Sequence, residues 1–373
     1  MLITRGGNGH SDYYHGSRTG MYLLETMRYL LLTRPLEEFR HESDKVPAYQ
    51  LPFMQRFFWV IYISPRGFGW SFKDDRPIPV RHRTRVAFIV SRLRMALAWY
   101  LLFDVTRLYT RANPVFSTGA SVASQGYVLR CLNIIAWWIQ VCGPLQFGHS
   151  LIAAFAVATN LSEPSTWPPL FGYWKDAYTI RRFWARTWHQ ILRYLLTIFG
   201  PHRYNCRPWD DTPTTRKPKD PWARSYLRLC MAFVLSALLH AVADLAIQFR
   251  IWEQPLPAGT LSPDKVHHPF VIGVSSTVFL FQPLGVLVEG AVIEMGKYLG
   301  VKTGTGTKII GYAWVWAWMS FTAVSSLDGL KNAMQIAYST AQWGGGPTVV
   351  ERVAGKVFGV DLPSVLSMWF ASV

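Results

Sequence analysis

WPPLFGYWKDAYTIRRFWARTWHQILRYLLTIFG, residues 167–200, begins as a proline-broken aromatic turn and continues as a predicted Arg- and Trp-rich helix that carries His189. A second stretch, LSALLHAVAD at residues 235–244, places His240 inside an otherwise apolar helix. A titratable side chain is costly in such a helix and therefore indicates a functional site. The rest of the chain is interpreted around these two histidines.

The composition indicates a membrane protein. Half of the residues are hydrophobic and 15% are aromatic, yet the formal net charge is +16. A polytopic membrane protein with basic loops combines these properties, whereas a soluble domain rarely does. The Lys and Arg residues alternate with long apolar runs and form no single basic face, which argues against nucleic acid as a partner. Membrane lipid is the expected surrounding.

Long apolar segments predict the membrane spans, since about 20 residues are needed to cross the hydrocarbon layer. The candidate segments are 86–108, 131–162, 226–249, 266–288, 309–327 and 332–350. Gly143 and Pro144 are expected to kink or split the second segment, because proline removes a helical hydrogen bond. Shorter apolar segments at 21–32, 51–63 and 362–373 are expected to be interfacial or buried.

The ends of the chain and its loops give further expectations. Residues 1–20 lack an apolar leader and are expected to be a flexible polar amino terminus of one membrane domain, 1–373. The loop at 201–224 is basic, whereas residues 250–264 are nearly neutral. The first loop is therefore expected on the cytosolic side and the second on the opposite side.

The Arg- and Trp-rich stretch offers two helical stripes at steps of three and four residues. One stripe comprises Arg182, Arg186 and His189, and the other Trp184, Trp188 and Leu192. A coenzyme A donor needs cations for its phosphates and aromatic contacts for its adenine. Arginines at such positions also serve as anchors that meet anionic lipid. The spacing alone leaves both interpretations open.

His240 has a structural alternative, which is a core histidine bonded to a backbone carbonyl. That alternative is weaker within a span, where ionisable residues are rare. Asp244 lies one helical turn further on the same face, where it is predicted to orient the imidazole or balance its charge. The four cysteines show no metal-type spacing, and a His240–Asp244 metal pair would lack a third ligand. No metal site is predicted.

The sequence FWARTWHQ followed by a buried LLH resembles the membrane-bound O-acyltransferase (MBOAT) superfamily. The closest branch is the wax-synthase-like one of fungal terpenoid and meroterpenoid pathways, and the resemblance extends from residue 65 to about residue 289. It implies that His240 is the general base and that His189 hydrogen bonds the thioester carbonyl. It also implies a donor site that comprises Arg66, Arg181, Arg182, Trp184, Arg186, Trp188 and Gln190.

The resemblance implies an all-α polytopic integral membrane protein, an MBOAT-like bundle of roughly eight transmembrane helices with interfacial helices. The implied activity is transfer of a short acyl group, which is acetyl in this branch, from acetyl-CoA to a hydroxyl of a lipophilic terpenoid or meroterpenoid acceptor. The implied location is the endoplasmic reticulum, and no permanently bound cofactor is expected.

Three alternatives share the same hydropathy pattern. A long-chain wax-ester synthase is the nearest variant of the same reaction. A transporter or channel would use His240 and Asp244 as a proton relay. An intramembrane terpene cyclase would use acids and aromatic rings to stabilise carbocations. The stretch that ends in WHQ favours an acyltransferase, because only that class needs it to bind a donor.

Overall fold

The computed structural model describes residues 9–35, 48–56, 84–188, 190–196, 222–253, 269–338 and 346–372, with the single positions 41, 44 and 46. This described part is helical and contains no β-strand, so the predicted all-α class is confirmed. Its helices of eight or more residues are α1 Gly9–Met27, α2 Arg85–Ala112, α3 Gly126–Ala158, α4 Trp222–Glu253, α5 Thr277–Tyr298, α6 Thr305–Ala337, α7 Val349–Phe358 and α8 Leu362–Ser372.

Four helical segments of the described part are long and apolar enough to cross a membrane: Arg85–Ala112, Gly126–Ala158, Trp222–Glu253 and Val274–Tyr298. They support an integral membrane protein, but roughly eight spans are not confirmed. The expected split of the second span is wrong, because α3 continues through Gly143 and Pro144 as one helix. The loops at 201–221 and 254–268 lie outside the described residues.

Helix α6 joins the predicted span 309–327 to the first residues of the predicted span 332–350. The segments 309–327 and 332–350 were separated by Asp328 and Lys331, but α6 passes through both residues without a break. Lys331 is fully buried, and its ammonium group donates to the carbonyl oxygens of Val115 at 3.0 Å, Thr118 at 3.2 Å and Ala120. Because these carbonyls satisfy the charge, the helix continues between the two segments that were predicted as separate spans.

Helix α1 corrects the expectation of a flexible polar amino terminus, because residues 9–20 are helical and packed on α4. A Cβ atom on Gly16 would lie 2.7 Å from the Ala243 Cα atom, and one on Gly20 would lie 3.1 Å from the Leu239 carbonyl oxygen. The two glycines are four residues apart and therefore lie on one face. Small residues at this spacing let two helix backbones approach closely.

A buried carboxylate fixes the start of α1. Asp12 accepts a hydrogen bond from Arg250 Nε of α4 at 2.9 Å and another from the Tyr338 hydroxyl at the end of α6. Asp12 is 2% exposed, so an unpaired charge here would be costly. These two hydrogen bonds join α1 to α4 and to the end of α6. All three helices line the cavity described below.

The Arg- and Trp-rich stretch is not the continuous helix that was predicted. A short helix at Ile180–Arg182 continues as a π-helical turn at Phe183–Thr187, and Trp188 is then extended with ψ 161°. The Gly172 N–H donates to the Thr187 carbonyl, and the Gln190 N–H donates to the Leu170 carbonyl, both at 2.9 Å. This backbone pairing ends the helix at Thr187, so Trp184 and Trp188 do not lie on one continuous helix.

Candidate active site

A cavity of about 480 Å³ lies between α1, α3, α4, α6 and the segment that ends in WHQ. Its walls are mainly aromatic and aliphatic. The polar side chains among its lining include His10, Tyr13, Ser17, Gln140, His240 and Ser275. An apolar pocket of this size with a few polar groups is typical of a small-molecule site.

The His240 side chain projects from α4 and forms part of the cavity wall. Its Nδ1 atom lies 2.8 Å from the Tyr13 hydroxyl oxygen of α1. Its ring stacks on Phe279 of α5, with centroids 4.4 Å apart and planes inclined by 16°. The predicted base is therefore oriented by two neighbours from two other helices.

Asp244 bonds to a backbone turn. Its Oδ2 atom accepts from the N–H groups of Gly273 at 2.9 Å and Ser275 at 3.1 Å. Gly273 has φ 94°, a left-handed conformation that glycine adopts without strain. The contacts of Asp244 thus hold the turn before α5, which presents Ser275 to the cavity. The predicted role of Asp244 in orienting or charge-balancing the imidazole stays a prediction.

Trp184 and Trp188 both line the cavity and touch each other, with ring centroids 5.7 Å apart. The Trp184 indole N–H donates to Gln282 Oε1 at 3.0 Å, and its ring lies 5.6 Å from Phe279. Because Phe279 also stacks on His240, the predicted donor segment and the predicted base meet at one wall.

The three arginines of this segment lie outside the cavity lining. Arg181 donates to the Ser225 hydroxyl at 3.3 Å, and Arg182 lies 3.7 Å from Asp176 with its guanidinium 4.5 Å from the Tyr178 ring centre. Arg186 is exposed. The segment thus turns its tryptophans inward and its arginines outward.

The other predicted site residues lie outside the cavity lining or outside the described residues. Gln190 is buried by its backbone pairing and lies outside the cavity lining. Arg66 and His189 lie outside the described residues. The neighbours of position 189, Trp188 and Ile191, line the same cavity as His240. No group of three side chains in the described ranges could hold a metal ion.

Two neighbours of His240, Tyr13 and Phe279, were not predicted from the sequence. Their contact with His240 depends on helix packing over long sequence distances, which no local pattern records. The pair Gly16 and Gly20 was a usable signal, because this spacing indicates a helix in close contact with another helix. It would have placed Tyr13, one turn earlier, near a partner helix.

Comparison with known proteins agrees with the resemblance found in the sequence. Residues 167–257 match the Membrane bound O-acyl transferase family. The acetyltransferase ple2 of Rhodocybe pseudopiperita is 29% identical over 86% of this chain and 79% of its own length. The acetyltransferase eriL of Hericium erinaceus is 26% identical over 88% and 80%, and the O-Mevalon transferase macI of Penicillium terrestre is 30% identical over 76% and 64%. No solved structure matches the chain.

These findings confirm two predictions from the sequence. The matched residues contain both the segment that ends in WHQ and His240. The chain is an acyltransferase enzyme that resembles the membrane-bound O-acyltransferases. Within that class, it is related to the branch of fungal acetyltransferases.

Proposed function

We propose that this protein is one membrane-embedded acyltransferase domain that moves an acetyl group from acetyl-CoA to a hydroxyl of a lipophilic alcohol. The observation that carries the proposal is the cavity itself, where His240 faces the same space as Trp184 and Trp188 of the family segment. The names of the fungal relatives support acetyl as the transferred group. The resemblance to the wax-synthase-like branch supports a terpenoid or meroterpenoid acceptor of secondary metabolism.

The reaction needs one base at the acceptor hydroxyl. The imidazole of His240 takes the hydroxyl proton while the oxygen attacks the thioester carbon. The new C–O bond forms, the C–S bond breaks, and the leaving thiolate takes the proton from the imidazolium. The products are the ester and free coenzyme A, and His240 is neutral again. A hydrogen bond from His189 to the thioester carbonyl would stabilise the oxygen as its charge develops.

The two substrates differ in how they reach the cavity. Coenzyme A carries several phosphate charges and cannot pass through hydrocarbon, so its path begins at the exposed arginines beside Trp184. The acceptor is apolar and enters from lipid. This arrangement fits a multi-pass protein of the endoplasmic reticulum, where membrane-dissolved acceptors and cytosolic acetyl-CoA meet.

Labelled acetyl-CoA supplied with lipophilic alcohols to the purified protein tests the proposal. The expected result is an acetyl ester with terpenoid alcohols. Palmitoyl-CoA with long-chain fatty alcohols should give little product, because the wax-ester variant needs room for two long chains. Preferred use of palmitoyl-CoA would replace acetyl transfer by wax-ester synthesis. Absence of ester with every pair would overturn the acyltransferase assignment.

Substitution of Arg186 by Ala should raise the KM for acetyl-CoA about fivefold, because one cation near anionic groups at a surface contributes about 1 kcal/mol. The KM for the acceptor should stay unchanged. The effect should grow as ionic strength falls, since screening then relaxes. Initial rates at two salt concentrations measure it.

Lys297→Ala is the matched control for charge. Lys297 is exposed, pairs with Glu294 at 2.6 Å and lies outside the cavity lining. This substitution removes one positive charge, as Arg186→Ala does, at a position outside the proposed donor path. An equal rise in KM for Lys297→Ala, or a rise for the acceptor instead of the donor, would contradict a donor site at Arg186.

A further inference from the structure

We propose that Tyr13 is a positioning residue for His240, with its phenol oxygen accepting the Nδ1–H of the imidazole so that the acceptor proton moves to Nε2. The inference rests on the proposed role of His240 as the base and adds to it a residue from the first helix of the chain. It assigns to α1 a part in the reaction.

The geometry around the imidazole supports this role. The Tyr13 hydroxyl oxygen lies 2.8 Å from His240 Nδ1, which is a normal hydrogen-bond distance. Phe279 stacks against the same ring at 4.4 Å between centroids. The hydrogen bond at the ring edge and the stack at the ring face together restrict rotation of the imidazole.

The chemistry of a histidine base requires such a partner. A neutral imidazole carries one N–H and one lone pair, and the hydrogen bond at one nitrogen sets which nitrogen accepts a proton. An acceptor at Nδ1 favours the tautomer with its lone pair on Nε2, and it stabilises the imidazolium that forms. An aspartate does this in serine hydrolase triads. Here Asp244 bonds to the backbone of Gly273 and Ser275 instead, and the phenol has the position beside Nδ1.

The Ser275 side chain lies near the Tyr13 phenol, and both residues line the cavity. A phenol oxygen can accept a hydrogen bond while its own hydrogen remains bound, so acceptance from His240 is compatible with a protonated Tyr13. The Ser275 hydroxyl donates to the His240 carbonyl oxygen at 3.4 Å. Burial, and then the nearby Asp244 carboxylate, raise the pKa of Tyr13, which lies outside the four candidate spans. The phenol thus stays protonated and does not compete with the imidazole for the acceptor proton.

The position of Tyr13 is fixed by its neighbours on α1. Gly16 follows one turn later and lies against the α4 backbone, with no room for a Cβ atom. Asp12 precedes it and is bonded to Arg250 and Tyr338. A shift of α1 would break both contacts, so the phenol is held at Nδ1 by the packing of the helix.

Substitution of Tyr13 by Phe keeps the ring and removes the hydroxyl. The kcat should fall about 10- to 100-fold, the range for loss of a hydrogen bond to a charged group. The KM for acetyl-CoA should change by less than about twofold, because an interaction with the imidazolium exists only after the proton has moved. Tyr109→Phe is the matched control, since it removes a phenol bond of 2.6 Å to Asn133 outside the cavity and should leave kcat unchanged.

A double-mutant cycle separates positioning from a merely structural role. If Tyr13 acts through the imidazole, Tyr13→Phe should have no further effect on kcat in a His240→Gln background. An equal effect in both backgrounds overturns the inference, as does a wild-type kcat for Tyr13→Phe alone beside an impaired His240→Gln. A near wild-type kcat for His240→Gln overturns the proposed base itself, which is a distinct result.

Discussion

Substitution of His240 by Ala or Gln is expected to lower the rate of ester formation by about 10²–10⁴-fold, the usual contribution of one general base. The loss should appear in kcat, since the proton moves only in the chemical step. Acetyl-CoA binding should persist, because the proposed donor contacts are those of Trp184, Trp188 and the outward arginines. Single-turnover product assays and equilibrium binding measure the two quantities separately.

The control for this substitution is His149→Gln. His149 also lies in a candidate span, on α3, and its ring packs against Trp167 at 5.5 Å between centroids. It is outside the cavity lining, so its replacement should leave kcat near the wild-type value. Both variants should elute as the wild-type protein does in detergent. Near-normal turnover of a folded His240→Ala variant would exclude this histidine as the base.

Substitution of Gly172 by Ala is expected to lower turnover about 10²-fold, although Gly172 lies outside the cavity lining. The new Cβ atom would lie 1.7 Å from the Arg186 carbonyl oxygen. The strand-like pairing of Gly172 with Thr187 must then open by more than 1 Å, which moves Trp184 and Trp188 with it. A misplacement of about 1 Å near a reacting group costs on the order of 10²-fold in rate.

Gly119→Ala is the matched control, because Gly119 is exposed and a Cβ atom there has no neighbour within 4 Å. Activity of the two purified variants, normalised to folded protein, decides the matter. Equal activity of Gly172→Ala and Gly119→Ala would mean that the WPPLFG turn does not set the position of the tryptophans.

The sequence predicted the parts of the site that a short stretch can reveal, such as an ionisable residue that is costly to place in an apolar helix. A histidine in an apolar helix is visible in LSALLHAVAD itself, and α4 is one of the four candidate spans. Trp184 and Trp188 both line the cavity, but the predicted helical spacing is not the cause. Their common wall comes from a π-helical turn and an extended Trp188, which backbone pairing with residues 170–172 imposes.

The errors arise where polar groups find partners far along the chain. Residues 1–20 were expected to be flexible because they are polar, yet Asp12 among them is buried and bonded to Arg250 and Tyr338. Lys331 lay between two predicted spans, yet it is buried within one helix and donates to carbonyl oxygens of the 115–120 segment. A prediction from local sequence places such charged residues in contact with water. The remote group that bonds to the charge is not part of the stretch from which the prediction is made.

The contact between α1 and α4 has a consequence for biosynthesis. Tyr13 and His240 are 227 positions apart, so at about 5–20 residues per second the ribosome needs roughly 10 to 50 s between them. During that interval α1 has neither its glycine-packed partner nor the arginine that neutralises Asp12. The proposed reaction centre therefore forms late, when the first helix docks on a helix synthesised long after it, and a chain that has not yet reached His240 lacks that centre.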